Sequence, residues 1–399
     1  MIAKFTKILK RYSPWQIAVM LSSVSLGFGA LRELLIVSLL GFSEKNDTLQ
    51  IYLSIFYITS LNVDAIRLSC LNLYKTLSLS RMAVLALAVS LVCSLLTCLC
   101  MTNLNVRING MIMLATIIGS SLHLLASLLI TYRQQQNLFL KAQVINVLPN
   151  AFLIPGIVIC YLFSVTQLVA AIVVLTSIVP AIQCILLMLL RGGTPAPTLD
   201  KQSGVFQGLT VFARHFSTMA GEQLFQMIAR AAFLHYGHGY LSMYALTIRL
   251  YSAFRFIAID SWIGSKLHEW KTADPATSPK NGMITGCIVA LLTFGVSAFN
   301  QNSLPKSAIQ MGILLLCGFY FTALVRIFYF RINQQGIHRP PVMRFAFYEM
   351  AFALLAYWLT RQVNYPLLAL LWIGYIAKPF SQLLMLKRHA GSPVRMEFS

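Results

Sequence analysis

The sequence is short of charge, and shorter still of acid. Charged residues make up 11% of its 399 positions, and 11 Asp and Glu stand against 31 Lys and Arg. It has no Asp-x-Asp motif and no Cys or His spacing of the kind that holds a metal. Cys93, Cys98 and Cys100 cluster without nearby histidines or a second cysteine pair, so they read as small apolar fillers. It also lacks a polar stretch long enough to fold as a soluble domain, the longest loop running only from Ser265 to Asn281. These absences argue against a membrane glycosyltransferase or polysaccharide polymerase, which would need a sizeable loop or an acidic or histidine constellation.

What the chain does have is apolar surface. Hydrophobic residues make up 58% of it, and the mean hydropathy is +0.73. A soluble fold cannot hide that much, so the chain reads as an all-α polytopic membrane protein. Apolar runs broken by polar, Pro or Gly punctuation give twelve spans, at about 14–41, 47–66, 79–101, 108–131, 142–163, 167–190, 205–234, 240–264, 282–299, 306–329, 343–360 and 365–386. The basic N-terminal stretch leads into a run too long for a signal peptide's apolar core, so it is expected to remain as a first helix. With the N-terminus cytoplasmic, 21 Lys and Arg fall on inside loops and helix ends against 4 outside. This asymmetry puts both termini in the cytoplasm and explains the net charge of +20 as topology, with no case for nucleic acid. The polar stretch RGGTPAPTLDKQSG divides the chain into a six-helix bundle at 1–190, a cytoplasmic linker at 191–204 and a second six-helix bundle at 205–399, weakly related by repeat.

Against this background the charges inside spans stand out, because each costs on the order of 3 kcal/mol or more at the bilayer centre. Arg230, Arg255, Asp260 and Lys378 lie toward helix ends, where long side chains snorkel. Glu349, six residues into its helix, serves a salt bridge or a functional role, and His123 reads as a satisfied core residue. Arg32, Arg214, Glu222 and Arg249 are too deep for snorkelling and point to a functional cavity. At 100° per residue, Arg249 and Asp260 share a helix face, and Arg214 and Glu222 fit one broad polar face. Gly27 and Gly29 precede Arg32, where glycine permits bending or close helix packing. Arginine binds phosphate oxygens bidentately and stays charged when desolvated, so a positive cavity suits an anionic cargo such as a lipid pyrophosphate. The carboxylates Glu33, Glu222 and Asp260 pair with arginines or carry a coupling H+ or Na+, and the sequence leaves both open. No other cofactor and no metal is expected.

Three stretches carry a family resemblance. GALRELLIVSLLGFSEKND, with Arg32-Glu33, Gly41 and Asp47, resembles the first-helix signature of the lipid II flippases and the O-antigen and exopolysaccharide flippases. These belong to the multidrug/oligosaccharidyl-lipid/polysaccharide (MOP) exporter superfamily. KAQVINVLPNAFLIPG, with Pro149 and Asn150, resembles the start of their fifth helix. HYGHGYLSMYALTIRLYSAF, with Arg249-Leu250, resembles the turn into their eighth helix. The resemblance implies two six-helix bundles in a V around a charged central cavity, working by alternating access. It also implies that Arg32, Asp47 and Arg249 bind a lipid-pyrophosphate substrate, to which the depth argument adds Arg214. Ile248 stands where lipid II flippases often have Asp, the second helix reads YLSIFYITSLNVDAIRL without their Pro-Asn pair, and two further C-terminal helices have no counterpart. These departures point away from lipid II and toward another lipid-linked glycan.

The expected function is therefore a flippase for an undecaprenyl-diphosphate-linked oligosaccharide in the bacterial inner membrane, with polysaccharide assembly proteins as candidate partners. A cation-coupled multidrug exporter of the same superfamily is the alternative. It would favour a carboxylate-dominated cavity, whereas here the deep arginines outnumber the deep glutamates.

Overall fold

The computed structural model describes residues 14–63, 79–103, 109–136, 138–163, 167–190, 204–255, 304–334, 342–362 and 367–390. Among them every regular element is helical: α1 (Pro14–Leu40), α2 (Glu44–Ser60), α3 (Leu79–Asn103), α4 (Gly110–Gln135), α5 (Phe139–Leu162), α6 (Leu168–Leu189), α7 (Gly204–Tyr236), α8 (Tyr240–Arg255), α9 (Leu304–Gln334), α10 (Val342–Thr360), α11 (Leu367–Trp372) and α12 (Lys378–Ala390). The spans expected from hydropathy coincide with these helices to within a few residues. The exceptions are the ninth, at 282–299, and the ends of the second, past 63, and of the eighth, past 255, which lie outside the described residues. Seven of the described helical stretches are long and apolar enough to cross a bilayer by themselves. The chain is an all-α polytopic membrane protein. Among the helices outside that set are α2, α7 and α8, and these hold much of the intramembrane charge.

The chain divides into two compact units, 1–219 with 238–249, and 220–237 with 250–399. In the first unit, local chemistry sets the helix ends. Gly41, at φ +66°, closes α1 through a 2.8 Å bond from its N–H to the Val37 carbonyl. Ser43 then caps α2 by accepting from the Asn46 N–H at 3.4 Å. The Asn109 Oδ1 accepts from Met111 and Ile112 to start α4, and the Tyr52 hydroxyl of α2 accepts the Asn109 N–H at 2.9 Å. Helices in lipid gain no hydrophobic drive from meeting one another, so small residues and interhelical hydrogen bonds hold them. Ser94 of α3 bonds Thr59 of α2 at 3.1 Å and Ser120 of α4 at 3.0 Å. One turn along, Ser90 donates to Ser121 at 3.1 Å.

The α4–α6 crossing is tight: a Cβ added to Gly119 would lie 2.6 Å from the Ser177 Cα. Gly119→Val is therefore expected to cost about 1–3 kcal/mol through overpacking, read as a lowered midpoint of thermal unfolding in detergent. Gly27→Ala is the control. A Cβ there meets nothing within 4 Å, so the midpoint should not move, and close packing is not what Gly27 provides.

In the second unit a single π turn, Ile373–Ala377, joins α11 to α12. Glycines allow close approach around it: Gly318 faces the Tyr375 backbone, and Gly374 faces the Phe225 ring. Gly221 of α7 likewise lies against Glu349 of α10. Such π turns recur at functional sites, and this one positions Tyr375 and Lys378.

Candidate functional site

The charged residues of α1 do not act singly. Arg32 is 7% exposed and Glu33 3%. Neighbouring residues on a helix point about 100° apart, yet the Arg32 guanidinium folds back so that its Nη2 donates to Glu33 Oε1 at 2.7 Å. The other Glu33 oxygen accepts from Gln50 Nε2 of α2 at 3.1 Å. Arg249 of α8 brings its Nε to 3.8 Å from Glu33 Oε1 and sets its guanidinium over the Tyr57 ring, 5.4 Å from the centroid. Glu33 thus holds two arginines from different helices, and the three ionic groups sum to one positive charge.

A cavity of about 180 Å³ lies beside this cluster, within the first unit. The charged side chains lining it are Arg32 and Arg249, whereas Glu33 is not among the lining residues. His123, Asn146 and Gln183 add polar lining from α4, α5 and α6, with Pro149 and Pro180 beside them. His123 also packs its ring against Phe56, centroids 5.1 Å apart. A core role was expected for His123, and the structure makes it a cavity wall. Two lining atoms are buried without a hydrogen-bond partner: Arg32 Nε and Gln183 Oε1. Gln50, Tyr57, Asn146 and Gln183 escaped the sequence reading. For the three amides the available signal was a polar side chain inside an apolar span, which is costly there and turns toward the protein interior.

Asp47, expected at the substrate, has another task. Its Oδ2 accepts the Gly239 N–H at 2.5 Å, and its Oδ1 accepts the Ser242 N–H at 2.8 Å and the Ser242 hydroxyl. These groups belong to the start of α8, which has glycine at its N-cap position, so a carboxylate from α2 does what a local capping side chain would. Gly239 is at φ +84° and would place a Cβ 2.7 Å from the Phe42 carbonyl oxygen, so glycine is required there. Asp47 is not among the cavity-lining residues. Asp47→Ala is expected to cost about 1–2 kcal/mol as a lost helix cap, seen as a drop in thermal midpoint that Asp47→Asn partly restores.

A second charged cluster lies in the other unit. Lys378 was expected to snorkel from a helix end. It is instead 8% exposed, and its Nζ donates to Glu222 Oε2 at 2.5 Å and to Glu349 Oε2 at 2.8 Å. Gln226 and Gln382 supply donors to the remaining carboxylate oxygens, at 2.9 and 2.8 Å. Two carboxylates and their amide partners supply the hydrogen bonds and counter-charge that a buried ammonium needs. Arg230, also expected to snorkel, is buried as well. Arg214 lies in α7 with its side chain outside the described residues, and Asp260 is outside them altogether. The structure therefore brings Arg32, Glu33 and Arg249 together in one unit and places Glu222 in the other.

No protein-family model matches the chain, and no curated protein matches it. Solved structures do. The chain superposes on the MATE multidrug transporter DinF-BH with a TM-score of 0.58 at 10% identity, covering 95% of this chain and 94% of that one. It also matches a multidrug resistance MATE family transporter of the MOP superfamily in its outward-facing conformation, at TM-score 0.54 and 11% identity over 96% of both chains. For an inward-facing structure described in the same words the values are 0.51 and 9% over 94% of both. At these identities the likeness establishes the fold.

Proposed function

We propose that this chain is a transporter that moves an undecaprenyl-diphosphate-linked oligosaccharide across the bacterial inner membrane by alternating access, binding the diphosphate at Arg32 and Arg249. One observation carries the reading: both charged residues lining the cavity are arginines, and the Arg32 Nε is buried with no acceptor. A desolvated guanidinium with an unused N–H favours an oxyanion, and its planar fork fits phosphate geometry. Glu33 offsets one of the two positive charges, so the arginines remain tolerable in the absence of cargo. The fold shared with transporters and the first-helix resemblance support the same reading. Arg214 belongs to this proposal as a third phosphate contact, and Glu222 and Asp260 as candidates for a coupling H+ or Na+.

Multidrug export is the second reading, and the solved structures of this fold described as multidrug transporters favour it. Ligand charge separates the two. For the purified protein in detergent, farnesyl diphosphate should bind, weaken as salt is raised, and lose affinity about tenfold or more in Arg32→Ala. Tetraphenylphosphonium should not compete. Binding of the cation with no binding of the diphosphate would select the exporter.

A further inference from the structure

Gln183 of α6 is a second unsatisfied group in the same cavity, and its chemistry is the complement of arginine's. The side chain is 2% exposed. Its Nε2 donates to the Ile145 carbonyl of α5 at 3.0 Å. A carbonyl accepts and never donates, so this bond fixes which end of the amide is the oxygen. The Oε1 is left as a buried acceptor with no donor. An unpaired buried acceptor costs about 1–3 kcal/mol, and the cavity that Gln183 lines is where a donor can come from. The same cavity offers arginine N–H groups for an anion. Its volume of about 180 Å³ is below the roughly 300–1,000 Å³ of pockets for drug-sized molecules, so it takes one head-group unit and not a whole oligosaccharide.

We infer that Gln183 reads the first sugar of the cargo, accepting a hydrogen bond from a ring hydroxyl or an acetamido N–H while the arginines hold the phosphate. The ligand class is a sugar phosphate carrying a hydrogen-bond donor. The inference rests on the anionic-cargo reading above and adds to it a residue that tells a sugar-bearing diphosphate from a bare one. A site built to pair a donor rejects ligands lacking it, because its own polar group is then left unpaired.

Two probes and two variants test this with the full-length protein in detergent. The probes are farnesyl diphosphate and farnesyl-diphospho-N-acetylglucosamine. The wild-type protein should bind the sugar-bearing probe about tenfold more tightly than the bare one. Gln183→Leu should erase that preference by weakening the sugar-bearing probe alone. Gln183→Glu keeps an acceptor oxygen, so it should keep the preference while its charge weakens both probes alike. Equal binding of the two probes by the wild-type protein, or a preference that survives Gln183→Leu, overturns the role of Gln183 and leaves the anionic-cargo reading standing. Failure of the wild-type protein to bind either probe overturns both.

Discussion

Arg32→Ala is expected to reduce outward movement of lipid-linked glycan by about 10- to 100-fold at unchanged membrane abundance. That range is the loss of a charged hydrogen-bond partner worth about 1.5–3 kcal/mol. Two effects combine. The cargo loses the buried Nε donor, and Glu33 loses its 2.7 Å partner while remaining buried. Arg249, at 3.8 Å, would then be drawn toward the uncompensated carboxylate and away from the ligand. Arg32→Lys restores the charge but not the planar fork, so it should fall between the wild type and Ala. Arg249→Ala should show a similar loss. The assay is the appearance of cargo on the outer face, with membrane levels checked by immunoblot. Wild-type transport in both alanine variants would remove the cavity from the mechanism.

Lys378→Met is expected to destabilise the second unit by about 3 kcal/mol, the low end for breaking a buried pair because the Glu222 side chain stays 27% exposed. One ammonium joins Glu222 of α7 to Glu349 of α10, and its removal leaves two half-buried carboxylates facing each other without a cation between them. The Phe225 ring, 5.7 Å from the Lys378 Nζ, also loses its cation. Adding Glu222→Gln and Glu349→Gln to the same chain should recover most of the loss, because a buried polar cluster without net charge is far less costly than a broken ion pair. Thermal unfolding in detergent reads both. Full stability of Lys378→Met alone would mean that the cluster does not hold the unit together.

The helices were legible because hydropathy and polar punctuation are local signals. The first span, expected at 14–41, is observed at Pro14–Leu40. The candidate site residues were legible in part, for the same reason. Arg32, Glu33 and Arg249 announce themselves as charges within apolar helices. Their partners depend on which helices meet, and no local pattern encodes that. Asp47 lies more than 190 positions from the backbone it caps, and no local pattern links the two. Position along the helix made Lys378 look like a snorkelling residue. Its burial follows from Gly374 admitting the Phe225 ring and Gly221 admitting Glu349, contacts made across long stretches of chain. Arg32 and Glu33 point about 100° apart on the helix, and the reach of the arginine side chain lets them pair all the same.

The most direct test of the central claim is transport by the purified protein in proteoliposomes, comparing a fluorescent undecaprenyl-diphosphate disaccharide with an organic cation such as tetraphenylphosphonium. The account predicts that the wild-type protein moves the lipid-linked disaccharide, that Arg32→Ala moves it about 10- to 100-fold more slowly, and that the cation is not carried. Transport of the cation with no movement of the disaccharide, unaffected by Arg32→Ala, would contradict it.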